Sequence, residues 1–249
     1  MNKVPNSSPE PASIVDLGSF PKDGVAVIFG ASGGIGGAMA EALSSSGSFA
    51  HVAGFGRKTS PPIDLMDEAS LERAAAIACE KGELRLVIDA TGFLSDARQG
   101  PEKSWRELDA DNLARSFALN AIGPALIMKH VLPRLPRAGK AVFATLSARV
   151  GSIGDNRLGG WYAYRASKAA LNQLVRTAAV ELARRAPVAI CIALHPGTVA
   201  TALSAPFVAT RQNVHTPEVA AGHLLEVIDK LTVEGSGGFF DWRGQPVPW

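Results

Sequence analysis

A short apolar run, Val25 to Phe29, breaks directly into Gly30-Ala31-Ser32-Gly33-Gly34-Ile35-Gly36 and then into a helical stretch from about Gly34 to Ser46. An apolar run closed by glycine reads as a buried strand. A glycine-rich turn between such a strand and a helix leaves the first amides of the helix bare. They can face a pyrophosphate, which β-carbons would hold away. The spacing is GxxxGxG, not the commoner GxGxxG. Gly30, Ser32, Gly34, Ile35 and Gly36 are therefore candidate nucleotide contacts, with a purely structural glycine turn as the alternative.

The rest of the chain repeats the strand–helix alternation. Strands are expected at Phe49 to Phe55, near Ile63-Asp64, and at Leu84 to Ala90, Ala141 to Leu146, Pro187 to Leu194 and Gly238 to Trp242. Helices are expected from Asp67 to Lys81, Asp111 to Leu132, Trp161 to Arg185, and onward from Thr216-Pro217. Asp67 reads as an N-cap, Gly82 as a helix stop, and Pro217 as a first helical residue. Pro124 predicts a kink in its helix. Alternating strands and helices imply right-handed βαβ units. The expected fold is α/β and Rossmann-like: a doubly wound, seven-stranded parallel sheet with helices on both faces. A single dinucleotide-binding domain is expected over residues 24–249, behind an irregular lead-in at 1–23 rich in Pro, Ser and Asn.

Composition removes other classes. The 249 residues carry 25 basic and 23 acidic groups, a net charge of +2, so no concentrated basic face argues for nucleic acid. No stretch of about 18 apolar residues predicts a membrane span, and the first residues hold no apolar core of a secretion signal. Cys79 and Cys191 are too few for a disulfide scaffold and read as free thiols, which fits a cytoplasmic setting. The five histidines show no metal-binding spacing, so no metal site is expected.

The stretch from Ala42 to Ile63 holds no acidic residue, whereas a NAD site ordinarily places a carboxylate there for the ribose hydroxyls. Arg57 and Lys58 stand just past the second strand instead. A cation there suits a 2′-phosphate, so NADP is expected and NAD disfavoured; a solvated basic loop is the plain alternative. Farther on, Tyr164 and Lys168 lie four residues apart and share a helix face. A nearby ammonium favours a phenolate, so the pair can exchange a proton closer to neutral pH than a lone tyrosine.

The glycine turn and the YxxxK pair together resemble the short-chain dehydrogenase/reductase family. Leu146-Ser147-Ala148-Arg149-Val150-Gly151-Ser152-Ile153, Gly160 to Arg165 and the ending Gln245 to Trp249 look like its C-factor-like branch. The resemblance spans roughly residues 23–249. It implies Tyr164 as the acid/base, Lys168 lowering its pKa and holding ribose hydroxyls, Asn120 holding a water, and Ser147 bonding the substrate carbonyl. It assigns Asp64 and Leu65 to the adenine, Ala90, Thr91 and Gly92 to the cofactor's approach, and Pro196, Gly197 and Thr198 to the nicotinamide. The substrate would be a small ketone, aldehyde or secondary alcohol. Phe93, Trp161 and Phe207 are candidates for an apolar substrate wall. A homodimer or homotetramer is expected, with Ala169, Ala170, Leu174 and Ala178 as packing positions.

Three departures stand out. The family's Asn-Asn-Ala-Gly is Asp89-Ala90-Thr91-Gly92 here, and an ionised Asp89 only accepts hydrogen bonds, which puts the usual sheet bracing in doubt. Counting back from Gly151 puts the family's serine at Ala148; counting forward from Gly139 puts it at Ser147. Ser147 is preferred because it has a hydroxyl, with Ser152 in reserve. Finally, 17 residues separate Ser147 from Tyr164, which points to an insertion within Gly154 to Gly160. A cofactor-binding signalling protein with little turnover is the main rival reading. A nucleotide-sugar epimerase or dehydratase is disfavoured, because no substantial C-terminal substrate region follows.

Overall fold

The structure, a computed structural model, describes residues 15–96, 100–208 and 213–249. Its strands are β1 (Val25–Phe29), β2 (His51–Phe55), β3 (Leu84–Asp89), β4 (Ala141–Leu146), β5 (Ala189–His195), β6 (Thr198–Val199), β7 (Val214–His215) and β8 (Phe239–Asp241). Its helices are α1 (Gly34–Ser46), α2 (Glu68–Cys79), α3 (Ala110–Phe117), α4 (Gly123–Val131), α5 (Tyr162–Arg185), α6 (Ala205–Val208) and α7 (Pro217–Lys230). Six strands form one parallel sheet in the order β2-β1-β3-β4-β5-β8. Every residue of β1, β3 and β4 is buried, as expected for strands covered on both faces.

Two apolar layers sandwich the sheet. On one face, Leu71, Ala74 and Ala78 of α2, Ile127 and Val131 of α4, and Leu171, Val175 and Leu182 of α5 pack on Val27, Phe29, Val87 and Phe143. On the other, Met39 and Leu43 of α1 and Leu224, Leu225 and Ile228 of α7 pack on Ile28, Leu86, Ile88 and Ile192. The doubly wound expectation holds. Asp67 caps α2 by accepting from Ala69 N, and Thr216 caps α7 by accepting from Val219 N at 3.3 Å.

The expected third strand, near Ile63-Asp64, does not form. Pro61 and Pro62 bring no N–H. The Ile63 N–H returns to Gly56 O at 3.1 Å, and the Asp64 N–H is held by Ser70 Oγ at 3.0 Å. The segment therefore closes on itself and on the start of α2, which leaves a six-stranded sheet. A separate two-stranded ribbon, β6 with β7, was not foreseen; two residues per strand carry no periodicity.

The expected Pro124 kink takes the form of a π turn at Ala118–Ile122 between α3 and α4. Proline lacks the N–H that would bond the carbonyl of Asn120, and its ring crowds that carbonyl. The widened turn, with Gly123 N bonded to Ala118 O, makes room. Residues 1–14 of the lead-in lie outside the described residues. Residues 15–23 are irregular, as expected, but anchored: Leu17 and Phe20 are buried in the α1–α7 layer, and the Ser19 hydroxyl donates to Asp229 at 2.5 Å. Cys191 is buried and Cys79 half-buried, both free. Among the described residues no helix is long and apolar enough to cross a membrane.

Candidate active site

The chain leaves β1 toward β2 on one side, and β3 lies on the other. Strand order reverses between β1 and β3, and a crevice opens there at the carboxyl ends of parallel strands. The loops after β1 and β3 line it. Gly30 has φ +88, and a β-carbon there would sit 2.8 Å from the Ala90 carbonyl carbon. One on Gly36 would collide with Gly30 O and stand 3.2 Å from the Ala90 β-carbon. Both glycines are required by close packing within the crevice floor. The Ala90 N–H bonds Phe29 O at 2.8 Å, which locks the two loops together.

The N-terminus of α1 is open. Gly33, its N-cap, offers no side chain, and the first turn has no acidic residue. The positive end of the helix dipole thus meets no carboxylate from its own cap or first turn. Gly34 lies against Thr201, whose methyl group a β-carbon there would meet at 2.9 Å. Thr201 is a site residue that sequence reasoning missed; the loop after β5 folds back over α1 to bring it there. Ser32 packs against Gly56, with its N 3.0 Å from where a β-carbon would stand, so exposed Arg57 follows one residue from the glycine loop. Ile35 packs partly into the α1–α7 layer. Asp64 is exposed and closes a turn by accepting from Met66 N at 2.9 Å, while Leu65 leans on Gly123.

The second half of the site lies at the end of β4 and the start of α5. Tyr164 is half-buried and Lys168 buried, with Nζ 6.0 Å from the phenol ring centroid. Lys168 Nζ donates to Leu146 O at 2.7 Å. A β-carbon on Gly92 would lie 3.8 Å from Lys168 Nζ and 3.7 Å from Asn120 Oδ1, so Gly92, Asn120 and Lys168 meet at one point. Burial pushes the Tyr164 phenol up to about 12 and the Lys168 ammonium down to about 8, the latter partly opposed by the charge of Asp89. The expectation that Lys168 lowers the phenol's pKa is not met in this arrangement. Desolvation outweighs an ammonium that is itself buried and turned to a backbone carbonyl.

Asn120 has no exposed surface, and its side-chain amide is fully engaged. Oδ1 accepts from Phe93 N at 2.7 Å, while Nδ2 donates to Phe93 O at 2.8 Å and to Ser167 Oγ at 3.1 Å. The side chain therefore clasps the strand following Gly92.

Asp89 resolves the first departure. Thr91 N, Thr91 Oγ1 and Thr145 Oγ1 donate to its buried carboxylate at 3.0, 2.5 and 2.6 Å. Hydroxyls supply the donors that an asparagine would have carried, so the bracing is kept. Burial raises its pKa.

The serine is different. Ser147 is buried, and its hydroxyl donates to Asn172 Oδ1 at 2.6 Å. A hydroxyl has one proton, so in this geometry Ser147 braces α5 and does not offer that proton to a carbonyl. Ser152 is buried as well and accepts from Asp155 N at 3.1 Å. Ala148, half-buried between them, has no hydroxyl. Asn172, the partner that sequence reasoning missed, repeats the four-residue step from Tyr164 through Lys168 on the same helix face.

Pro196 and Gly197 turn the chain out of β5. Gly197 has φ +80 and packs on Trp242 and His215, and Thr198 opens β6. Trp161 and Phe207 meet edge-on at 5.2 Å between ring centroids, and Trp161 meets Tyr164 at 6.2 Å. Phe93 instead lies under the Arg115 guanidinium at 4.6 Å. Of the three expected wall residues, Trp161 thus stands beside the phenol and Phe207 packs behind Trp161. Among the described residues, no group of His, Cys, Asp and Glu is arranged to hold a metal.

Comparison with known proteins agrees with this geometry. C-signal of Myxococcus xanthus is 39% identical over 143 residues, covering 57% of this chain and 82% of that one, in line with the C-factor-like features of the sequence. The 1-hydroxy-2-glutathionyl-2-methyl-3-butene dehydrogenase of Rhodococcus sp. strain AD45 is 36% identical over 201 residues, covering 80% and 84%. Among solved structures, NADPH-bound carbonyl reductase from chicken fatty liver superposes with a TM-score of 0.80 at 25% identity, covering 96% of this chain and all of that one. The short chain dehydrogenase pattern matches residues 24–212, from the strand before the glycine loop to beyond the Pro196 turn. On that match, which covers both the glycine loop and the Tyr164–Lys168 helix start, the chain belongs to the short-chain dehydrogenase/reductase family of oxidoreductases.

Proposed function

We propose that this protein is an NADP-dependent oxidoreductase that interconverts a ketone or aldehyde and an alcohol, with Tyr164 handling the proton. The observation that carries the reading is the meeting of Gly92, Asn120 and Lys168 beside the half-buried Tyr164, at the mouth of a crevice floored by Gly30 and Gly36. NADPH is bound in the chicken carbonyl reductase. The residues here fit such a group. The amides at Gly34 to Gly36 would receive the pyrophosphate, and Arg57 the 2′-phosphate. Asp64 and Leu65 would border the adenine, Ala90 to Gly92 the middle of the molecule, Lys168 the ribose hydroxyls, and Pro196 to Thr198 the nicotinamide. When bound, the cofactor supplies or accepts a hydride.

The chain's own contribution is the proton and the enclosure. A phenol held near 12 stays protonated across the neutral range, so the proton that a carbonyl oxygen would take is present on Tyr164. Asn120, buried beside Lys168 and Gly92, would hold a water that resupplies that proton. Trp161 and Phe207 offer an apolar wall, which favours a carbonyl flanked by hydrocarbon over a sugar. With Ser147 committed to Asn172, Tyr164 is the principal group that polarises the carbonyl. Leu174 and Val180 leave apolar surface on the outer side of α5, in keeping with a homodimer or homotetramer.

The test is steady-state oxidation of NADPH against a panel of apolar ketones and aldehydes. Turnover that disappears in Tyr164→Phe supports the proposal. Tight NADPH binding with no turnover on any carbonyl would favour the signalling alternative, which the C-signal likeness and the missing hydroxyl at Ala148 keep in view.

A further inference from the structure

We propose that Glu102 is a positioning residue for Tyr164, capping helix α5 from a loop far away in sequence. The inference rests on the reading of Tyr164 as the proton donor. The start of α5 is built irregularly. Gly159, Gly160 and Trp161 have φ of 64°, 63° and 53°, three successive left-handed residues. Glycine takes that conformation freely, but a residue with a β-carbon rarely does. Trp161 is also the N-cap, and its side chain cannot accept a hydrogen bond from the first turn.

Glu102 supplies what that turn lacks. It is 1% exposed. Its backbone carbonyl accepts from Trp161 N at 2.5 Å, and its carboxylate accepts from Ala163 N at 3.2 Å, from 61 residues away. The other carboxylate oxygen accepts from Asn112 Nδ2 of α3 at 2.7 Å. No cation pairs with it among the described residues. Its charge instead meets the amino end of α5, where the helix dipole favours an anion. One residue thus holds both sides of the left-handed turn, and Tyr164 is the next residue along. The same clasp fixes the Trp161 ring against Tyr164 and Phe207. A buried carboxylate with two N–H partners and, among the described residues, no counter-ion is suited to holding this corner.

The test compares Glu102→Ala, Glu102→Gln and Asn112→Ala in the full chain. It reads NADPH affinity by fluorescence, kcat and KM on the most active carbonyl, and hydrogen exchange over residues 161–166. Glutamine can still accept from Ala163 and, with the Asn112 amide turned over, donate to it. Glu102→Ala is expected to lower kcat about 10- to 100-fold, as small misplacements of a reacting group do. NADPH affinity and KM should change less than about threefold, and exchange should quicken at the helix start. Glu102→Gln should stay within about threefold of the parent, and Asn112→Ala should fall between the two. An unchanged kcat in Glu102→Ala, equal losses in the glutamine and alanine variants, or a parallel loss of NADPH affinity would overturn the proposal. Should Glu102→Ala fail to fold, the order of the other two variants decides. Should Tyr164→Phe prove fully active, the proton-donor reading fails separately; unchanged exchange in Glu102→Ala would then still refute the clasp.

Discussion

The two halves of the crevice are built in opposite ways. The phosphate-loop half is local: Gly30 to Gly36 fall within one strand–turn–helix unit, and their contacts are set by backbone shape. The proton-transfer half draws on Asp89, Gly92, Asn120, Ser147, Tyr164, Lys168 and Asn172, from the ends of β3, β4 and two helices. The first half needs the absence of side chains; the second needs particular hydrogen bonds among them. A short motif can specify the former completely. The latter depends on which donor reaches which acceptor, as the Ser147 hydroxyl donating to Asn172 shows.

The sharpest way to test the contrast is Tyr164→Phe, which alters the second half alone. It should lower kcat about a hundred- to ten-thousandfold while NADPH affinity stays within about threefold. A loss of both together would mean that the halves are not separable.

The serine pair comes next. Ser147→Ala removes the donor to buried Asn172 and should cost about 1–3 kcal/mol of stability in denaturant unfolding, with a smaller effect on turnover. Ala148→Ser, which restores a hydroxyl at the neighbouring position, should raise turnover about tenfold or more if it reaches the carbonyl oxygen. If Ser147→Ala instead lowers kcat about a hundredfold with stability intact, Ser147 polarises the substrate after all.

Arg57→Ala probes the local half. A charge-assisted contact of about 1.5–3 kcal/mol corresponds to a roughly ten- to hundredfold weakening of NADPH binding, with NADH little changed. Equal losses for the two cofactors would show that Arg57 supports the loop and does not read the phosphate.

The last effect is electrostatic. Lys168 is held at about 8 in the folded chain against an ordinary value of 10.5. Between those values the unfolded chain binds more protons, so stability rises with pH across about 8 to 10, by at most about 1.4 kcal/mol per pH unit. Below about 8 the full cost of burying the ammonium is present. Tyr164, raised from 10.0 to about 12, acts in the opposite sense, but only above about pH 10. Unfolding measured at pH 8 and 10 in the parent and in Lys168→Met should show the gain in the parent alone. A matching gain in the variant would place its source elsewhere.

Much of the fold was legible because it is written in periodicity and punctuation. The apolar runs at Val25, Leu84 and Ala141 became buried central strands. Asp67 and Thr216 became helix caps, since a cap needs only its own side chain and the next few amides. The strand expected near Ile63 failed because apolar character cannot reveal that Gly56 O and Ser70 Oγ would take its N–H groups. The paired ribbon of β6 and β7 was too short to leave a pattern.

The sequence by itself determined the glycine-bound turn, most of the order of strands and helices, the Tyr164–Lys168 step on one helix face, and the place of Arg57 just past the second strand. These follow from steric rules and short-range geometry that each segment carries with it. Only the tertiary structure decided that Asp89 is satisfied by Thr91 and Thr145, that Asn120 clasps Phe93, that Ser147 is committed to Asn172, and that burial sets the phenol near 12. The reason is physical: a hydroxyl has one proton and a buried charge has no water. Their roles are fixed by neighbours that meet only when strands and helices distant in sequence pack together.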